Sequence, residues 1–259
     1  MKPKHKVVTR SPHRSVGLVP CSWLQADPIE YESQLEYKFI KKLILTPNVI
    51  SITSQPFQIL YGEDDSCSYT PDFLVNFRNG RALVIEVKPC KFIEKQRNLF
   101  DVINEILRQR GFTFCIVTEQ EIDVDDSQEE IGLLLRYAKG TINQSSVDAV
   151  KRLFFNREDA SFTIQEVCRL AQIQKTDVLH LLGRKILFFE SEMSTSENTK
   201  VTIKNKEKMY DDICLANWLD ATPWTTNARI RENGKPNRSA TRRCNHTPRL
   251  HLDFSEDSE

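Results

Sequence analysis

The sequence predicts an α/β fold, with a sheet-and-helix unit over residues 27–122 and a smaller, mostly helical unit over 131–204. Three observations carry this. Between Asp27 and Ile122 the apolar periodicity runs helix, strands, helix, strand. Two β-runs meet at Asn79-Gly80, a strong short-range hairpin signal. After the acidic stretch Asp123–Glu130, which reads as a linker, the period turns helical and ends in two short apolar runs near 186–203.

Residues 1–26 form a polar arm made basic by Lys2, Lys4, Lys6, Arg10 and Arg14. Such an arm suits phosphate contact, and equally it is a solvated charge run. The first helix has two candidate starts. Asp27-Pro28-Ile29-Glu30 offers a cap and a proline at the first helical position, while Ser33-Gln34-Leu35-Glu36 is a capping box. Its apolar stripe is Leu35, Phe39, Ile40 and Leu43, and Thr46-Pro47-Asn48 ends it. Short strands follow at Val49–Thr53 and Phe57–Tyr61. Beyond the hairpin, one helix is expected from about Phe92 to Gln109, closed by Gly111, and then a buried strand at Phe112–Val117.

The chemistry concentrates in the hairpin Tyr69–Pro89. A two-residue loop at Asn79-Gly80 would set Asp72 opposite Val87. A three-residue loop, with Gly80 in the left-handed region, pairs Phe77 with Arg81, Val75 with Leu83, Phe73 with Ile85 and Asp72 with Glu86. The second register sorts apolar against apolar and acid against acid, so it is the one expected. It places two carboxylates side by side, with Lys88 on the same face two residues on. Adjacent carboxylates stay ionised only with a cation between them, and a hard divalent ion such as Mg²⁺ fits oxygen donors. A neighbouring lysine can orient a water or offset phosphate charge. The plain alternative is a cross-strand charge cluster facing solvent. Against it, Glu86 and Lys88 interrupt or adjoin an apolar run, Ala82–Val87, that reads as buried on both faces.

Pro71-Asp72 followed by Glu86-Val87-Lys88 is the PD-(D/E)xK signature. Ser33-x-x-Glu36-x-x-Phe39, Pro47-Asn48-Val49, Gln55-Pro56-Phe57, Tyr69–Phe73, Ile85–Pro89 and a closing strand at Val117–Ile122 together resemble the nuclease domain of the TnsA family of transposon endonuclease subunits. The resemblance covers residues 25–122. It implies a restriction-endonuclease-like fold, a central mixed sheet flanked by helices. It further implies that Glu36, Asp72 and Glu86 hold a divalent metal with the Val87 carbonyl, that Lys88 is the catalytic lysine, and that Gln55 supports the site. Mg²⁺ is the expected cofactor, with Mn²⁺ able to substitute. For Glu36 the capping box is a competing role, for Gln55 a turn before Pro56, and Glu32 is the alternative ligand if the helix register shifts. Lys91, Lys95 and Arg97 can face DNA phosphates or simply solvent.

In the second half, Thr163-Ile164-Gln165-Glu166 is a capping box, a turn at Gln172–Gln174 precedes a helix over Thr176–Leu182, and Ile186–Phe189 pairs with Val201–Ile203. Helix, turn, helix, wing is the order of a winged helix, which the TnsA resemblance also implies. Lys175, Arg184 and Lys185 would then be candidate DNA contacts, on a surface equally suited to protein docking. From residue 205 the periodicity fades. The tail 205–259 is expected to be largely disordered, with Trp218 and Trp224 as partner anchors.

Lys+Arg and Asp+Glu are 36 each, so net charge does not announce a nucleic-acid binder. No segment is apolar enough to span a membrane, no leader is visible, and seven scattered cysteines fit a reducing cytoplasm. Cys244, His246 and His251 lack zinc-site spacing. The resemblance implies a nucleoid-associated bacterial protein that cuts the 5′ ends of a transposon. Its implied partners are the transposon-end DNA, a DDE transposase (TnsB-like) and an AAA+ regulator (TnsC-like). The alternatives are a stand-alone restriction or repair nuclease and a non-catalytic assembly module on the same fold.

Overall fold

Strand β1 (Gly17–Val19) pairs antiparallel with β2 (Ile29–Tyr31), so Asp27-Pro28 leads into a strand and not a helix. Helix α1 (Gln34–Leu45) starts instead at Ser33, whose hydroxyl accepts from the Glu36 N–H, and buries Phe39, Ile40, Leu43, Ile44 and Leu45. In this computed structural model the described residues are 15–123, 127–190, 193–203 and 222–224.

Beyond α1 come β3 (Val49–Ser54) and a separate hairpin of β4 (Ile59–Tyr61) and β5 (Cys67–Tyr69) around a short turn. The chemistry-bearing hairpin is β6 (Phe73–Phe77) and β7 (Ala82–Val87). Its register is the expected one, Phe73 facing Ile85 and Val75 facing Leu83. Gly80 lies at φ 82°, its N–H donates to Phe77, and the Phe77 N–H reaches Arg81, which closes the three-residue turn.

The helix expected over 92–109 is broken. Short α2 (Cys90–Ile93) and a 3₁₀ turn precede α3 (Arg97–Gln109), because Gln96 leaves helical geometry at φ −110°, ψ 7°. Gly111, at φ 78°, ends α3 with Phe112 N–H on Leu107 and Gly111 N–H on Arg108. Strand β8 (Thr113–Val117) follows, parallel to β7. The closing segment is a strand only through Val117, since the Thr118–Glu121 capping box turns the next residues into α4 (Glu119–Ile122). Helix α5 (Ser127–Ala138) begins inside the acidic stretch read as a linker, whose Glu129 and Glu130 sit in its first turn, where the helix dipole favours them.

Next come α6 (Gln144–Phe154), β9 (Phe162–Thr163), α7 (Ile164–Ala171), α8 (Lys175–Gly183), β10 (Phe188–Phe189) and β11 (Lys200–Thr202). Thr163 caps α7 through the expected box, and β11 lies between β10 and β9 in an antiparallel sheet. Strand β12 (Thr222–Pro223) adds to the free edge of β8, giving a mixed five-stranded sheet in the order β12-β8-β7-β6-β3. Helices pack against it, and the chain is α/β with a helical C-terminal region, the restriction-endonuclease-like arrangement the sequence led us to expect.

Trp224 is buried beside β12. Its N–H donates to Phe114 and its indole N–H to Asp101, at 2.8 Å each, and its ring meets Phe100 edge-on. This tryptophan, expected as an anchor for a partner, thus has an anchor in its own chain; Trp218 lies outside the described residues. Among the described residues, an apolar cluster runs from Phe39, Phe73 and Ile85 through Ile131 and Leu134 to Val178 and Leu182.

Helices α5 and α8 approach closely at Gly183, where an added Cβ would stand 2.5 Å from the Leu134 carbonyl oxygen and 3.0 Å from Ala138 Cβ. At Gly132, within α5, an added Cβ meets nothing within 4 Å. The same substitution should therefore act with opposite sign. Gly183→Ala is expected to destabilise by about 1–3 kcal/mol, and Gly132→Ala to stabilise by about 1 kcal/mol. Urea denaturation followed by circular dichroism checks both.

Candidate active site

The three-residue turn brings Asp72 alongside the end of β7. The Val87 N–H donates to Asp72 Oδ2 at 2.7 Å, which fixes that carboxylate beside Glu86. Residues Leu83 to Val87 are all buried, and Glu86 is only 3% exposed, so its charge sits in nearly dry surroundings. Each of its oxygens has one donor. Lys88 Nζ lies 2.7 Å from Oε1, and the Tyr69 hydroxyl donates to Oε2 at 2.5 Å. Tyr69 ends β5, outside the central sheet, and was not among the residues singled out from sequence. Its sequence signals are its position three before Asp72 and its place at the head of the Tyr69–Phe73 motif, neither of which gave it a role at the site.

The electrostatics of the cluster are strained. Burial, then the charges of Glu86 and Glu36, push the Asp72 carboxyl well above its usual range, against the pull of the Val87 N–H and Lys88. Tyr69 is held well above an ordinary phenol by burial and by Glu86 and Asp72. Burial works to lower the Lys88 ammonium, but Glu86, Asp72 and Glu36 together outweigh it and raise its pKa. A site with three acids and one lysine is short of positive charge.

Glu36 lies close enough to feel Glu86, yet it is turned back onto its own helix start. Its Oε2 accepts from the Glu32 N–H and its Oε1 from the Ser33 hydroxyl, both at 2.8 Å. Burial raises its pKa, and these hydrogen bonds oppose the rise. As the side chains stand, no three acidic, histidine or cysteine groups among the described residues gather tightly enough to enclose an ion. The donors nevertheless suit a hard cation. They are all oxygen, they carry excess negative charge, and Asp72 Oδ1 accepts no hydrogen bond among the described residues.

Gln55 sits at the rim at φ 44°. Its N–H donates to the Asp72 carbonyl and its side-chain amide to Glu32, so it braces the strand entry and the residue beside Glu36. Glu119 accepts from the Cys90 N–H at 2.9 Å and thereby pins the chain just after Lys88.

Residues 46–119 match the family described as TnsA-like endonuclease N terminal. This segment is similar to the N-terminal domain of TnsA-like endonucleases. It contains Asp72, Glu86, Lys88 and Gln55, while Glu36 and the whole second half lie outside the match. Comparison with curated proteins returned no match.

The expected DNA contacts divide. In the TnsA-like domain, Lys91 and Lys95 are exposed around α2, and Lys91 lies over the Phe92 ring. Arg97 is engaged by Glu94 at 2.8 Å and stacks on Trp224 at 5.4 Å. Lys175 opens α8 and is half-buried. Arg184 and Lys185 are turned inward. Arg184 donates to the Gly140 carbonyl at 2.7 Å and covers Trp23, and Lys185 donates to the carbonyls of Thr46 and Val49 at 3.2 and 2.9 Å. Sequence placed these two at an exposed wing. The structure uses them instead to satisfy carbonyls at the ends of α5 and α1. No described helix is long and apolar enough to cross a membrane.

Two pH-linked outcomes follow. Asp72 is raised above its unfolded value, so ionising it in the folded state costs stability at neutral pH. Asp72→Asn should stabilise the metal-free protein at pH 7 by on the order of 1 kcal/mol, a gain that fades as pH falls through the raised folded-state pKa and is gone near the usual Asp value of about 3.9. Melting curves from pH 4 to 8 check it. Lys185 is pushed down to about 8, by burial first and then Arg78. Between that value and the unfolded lysine's ordinary one, the unfolded chain holds the extra proton, so stability should rise with pH. Comparing urea midpoints of wild type and Lys185→Met from pH 7 to 10 should show that rise in wild type alone.

Proposed function

We propose that the chain is a metal-dependent DNA endonuclease subunit of a heteromeric transposase. In this reading it hydrolyses phosphodiester bonds at the 5′ ends of a transposon during cut-and-paste transposition. The supporting observation is the buried pair Asp72 and Glu86, with Lys88 on Glu86, inside the segment that matches a TnsA-like nuclease.

Asp72 and Glu86 would hold Mg²⁺, or Mn²⁺ in its place, with the Val87 main-chain carbonyl, and Glu36 joins them on leaving its cap. The ion supplies charge for the phosphate and a water of lowered pKa. Lys88, two residues beyond Glu86 on the same face, orients the attacking water or offsets the charge growing on the phosphate oxygens. Gln55 keeps Asp72 and the start of α1 in place. Lys91 and Lys95 are the exposed cations beside the site and suit phosphate contact.

For residues 131–204 we favour a winged-helix-like domain, on the grounds that α7, a tight turn, α8 and the β10-β11-β9 sheet occur in that order. With Arg184 and Lys185 committed internally, Lys175 is its remaining candidate DNA contact, and a protein-docking role gains weight. The family likeness points to a DDE transposase of the TnsB kind and an AAA+ regulator of the TnsC kind as partners. It also points to a bacterial cytoplasmic, nucleoid-associated setting.

The test is a reconstituted transposition reaction containing both partners and supercoiled DNA with transposon ends. With Mg²⁺ the wild type should cut the 5′ ends. Asp72→Ala and Lys88→Ala should each lose about 10²–10⁴-fold, with the partner's 3′ cuts retained. Full 5′ cutting by both variants would overturn the assignment. Cleavage by the chain alone would favour a stand-alone nuclease.

A further inference from the structure

Glu86 is the one carboxylate of the site whose two oxygens are both engaged by side chains. The phenol of Tyr69 holds Oε2 and the ammonium of Lys88 holds Oε1. The Tyr69 contact, at 2.5 Å, lies in the range of strong charge-assisted O–H···O⁻ bonds. Its backbone is fixed by the β5–β4 pairing, in which Tyr69 faces the fully buried Ile59. Asp72 has spent one oxygen on the Val87 N–H, which leaves Oδ1 for other partners. With the phenol against Oε2, the oxygen of Glu86 on the more open side is Oε1, on which the part-exposed Lys88 already stands.

We propose that Tyr69 is a positioning residue that commits one oxygen of Glu86, so that Lys88 and a divalent cation compete for the other. The proposal rests on the metal-site reading above and adds a consequence. Loading the site displaces the Lys88 ammonium from Glu86 and sends it toward solvent. Lys88 is the partner able to move, because its side chain is 27% exposed against 4% for Glu86. Without the Tyr69 hydroxyl, lysine and cation can take separate oxygens, and the two events uncouple.

A double-mutant cycle on Mn²⁺ binding by calorimetry tests this, using wild type, Tyr69→Phe, Lys88→Met and the double variant of the full chain. Lys88→Met should tighten Mn²⁺ binding by about tenfold when Tyr69 is present and by less than about threefold when it is phenylalanine. A second measurement needs only folded wild type. In lysine-¹⁵N NMR, with the signal assigned by its loss in Lys88→Met, the Lys88 ammonium resonance should shift on Mg²⁺ addition. Independent effects of the two substitutions, or an ammonium signal unmoved by saturating Mg²⁺, would overturn the role of Tyr69 alone. Absence of Mn²⁺ binding by folded wild type would overturn the metal reading and this proposal with it.

Discussion

Two carboxylates held side by side where water scarcely reaches are the constraint around which this structure is arranged. Their adjacency is a matter of one residue. Had the turn at Asn79-Gly80 closed with two residues instead of three, Asp72 would face Val87 and every side chain of β6 would swap faces. Gly80 at φ 82° permits the longer turn, and the apolar pairs Phe73–Ile85 and Val75–Leu83 reward it by burying both partners completely. The core therefore selects the register, and the register imposes the acid pair. The charge cost is met only in part, by the Val87 N–H, Tyr69 and Lys88. The raised Asp72 pKa is the remainder of that cost.

What was legible in the sequence was local. The hairpin register, the caps at Ser33 and Thr163 and the Gly111 helix end each depend on residues within a few positions of one another; all took the expected form except that the Ser33 box is half-formed, Glu36 accepting from the Glu32 N–H in place of the Ser33 N–H. What was not legible depended on distant partners. Tyr69 gains its meaning from Glu86, seventeen positions away across two strands. Trp224 gains its own from Phe100, Asp101 and Phe114. Arg184 and Lys185 were read as surface charge because lysine and arginine usually are. Here they reach back to carbonyls that helix ends leave without partners. The capping box at Ser33 and the metal-ligand reading of Glu36 were weighed as rivals, and the structure places Glu36 in the cap while keeping it within electrostatic reach of Glu86.

That double placement gives α1 a particular position in the architecture. Its first turn carries Glu36 at the edge of the acid cluster, and its face packs on α5 of the second half. Its far end is latched by the Lys185 ammonium on the Thr46 carbonyl. Twelve residues of helix span about 18 Å at 1.5 Å per residue, and a packed helix of that length moves as a body. The position of the helical half is thus built into the position of Glu36. A separate nuclease sheet, however well formed its Asp72 and Glu86, would lack this brace on the third carboxylate. The same continuity shows in the apolar cluster that runs from Phe73 to Leu182. The acid cluster needs walls that do not yield, and here both halves of the chain supply them.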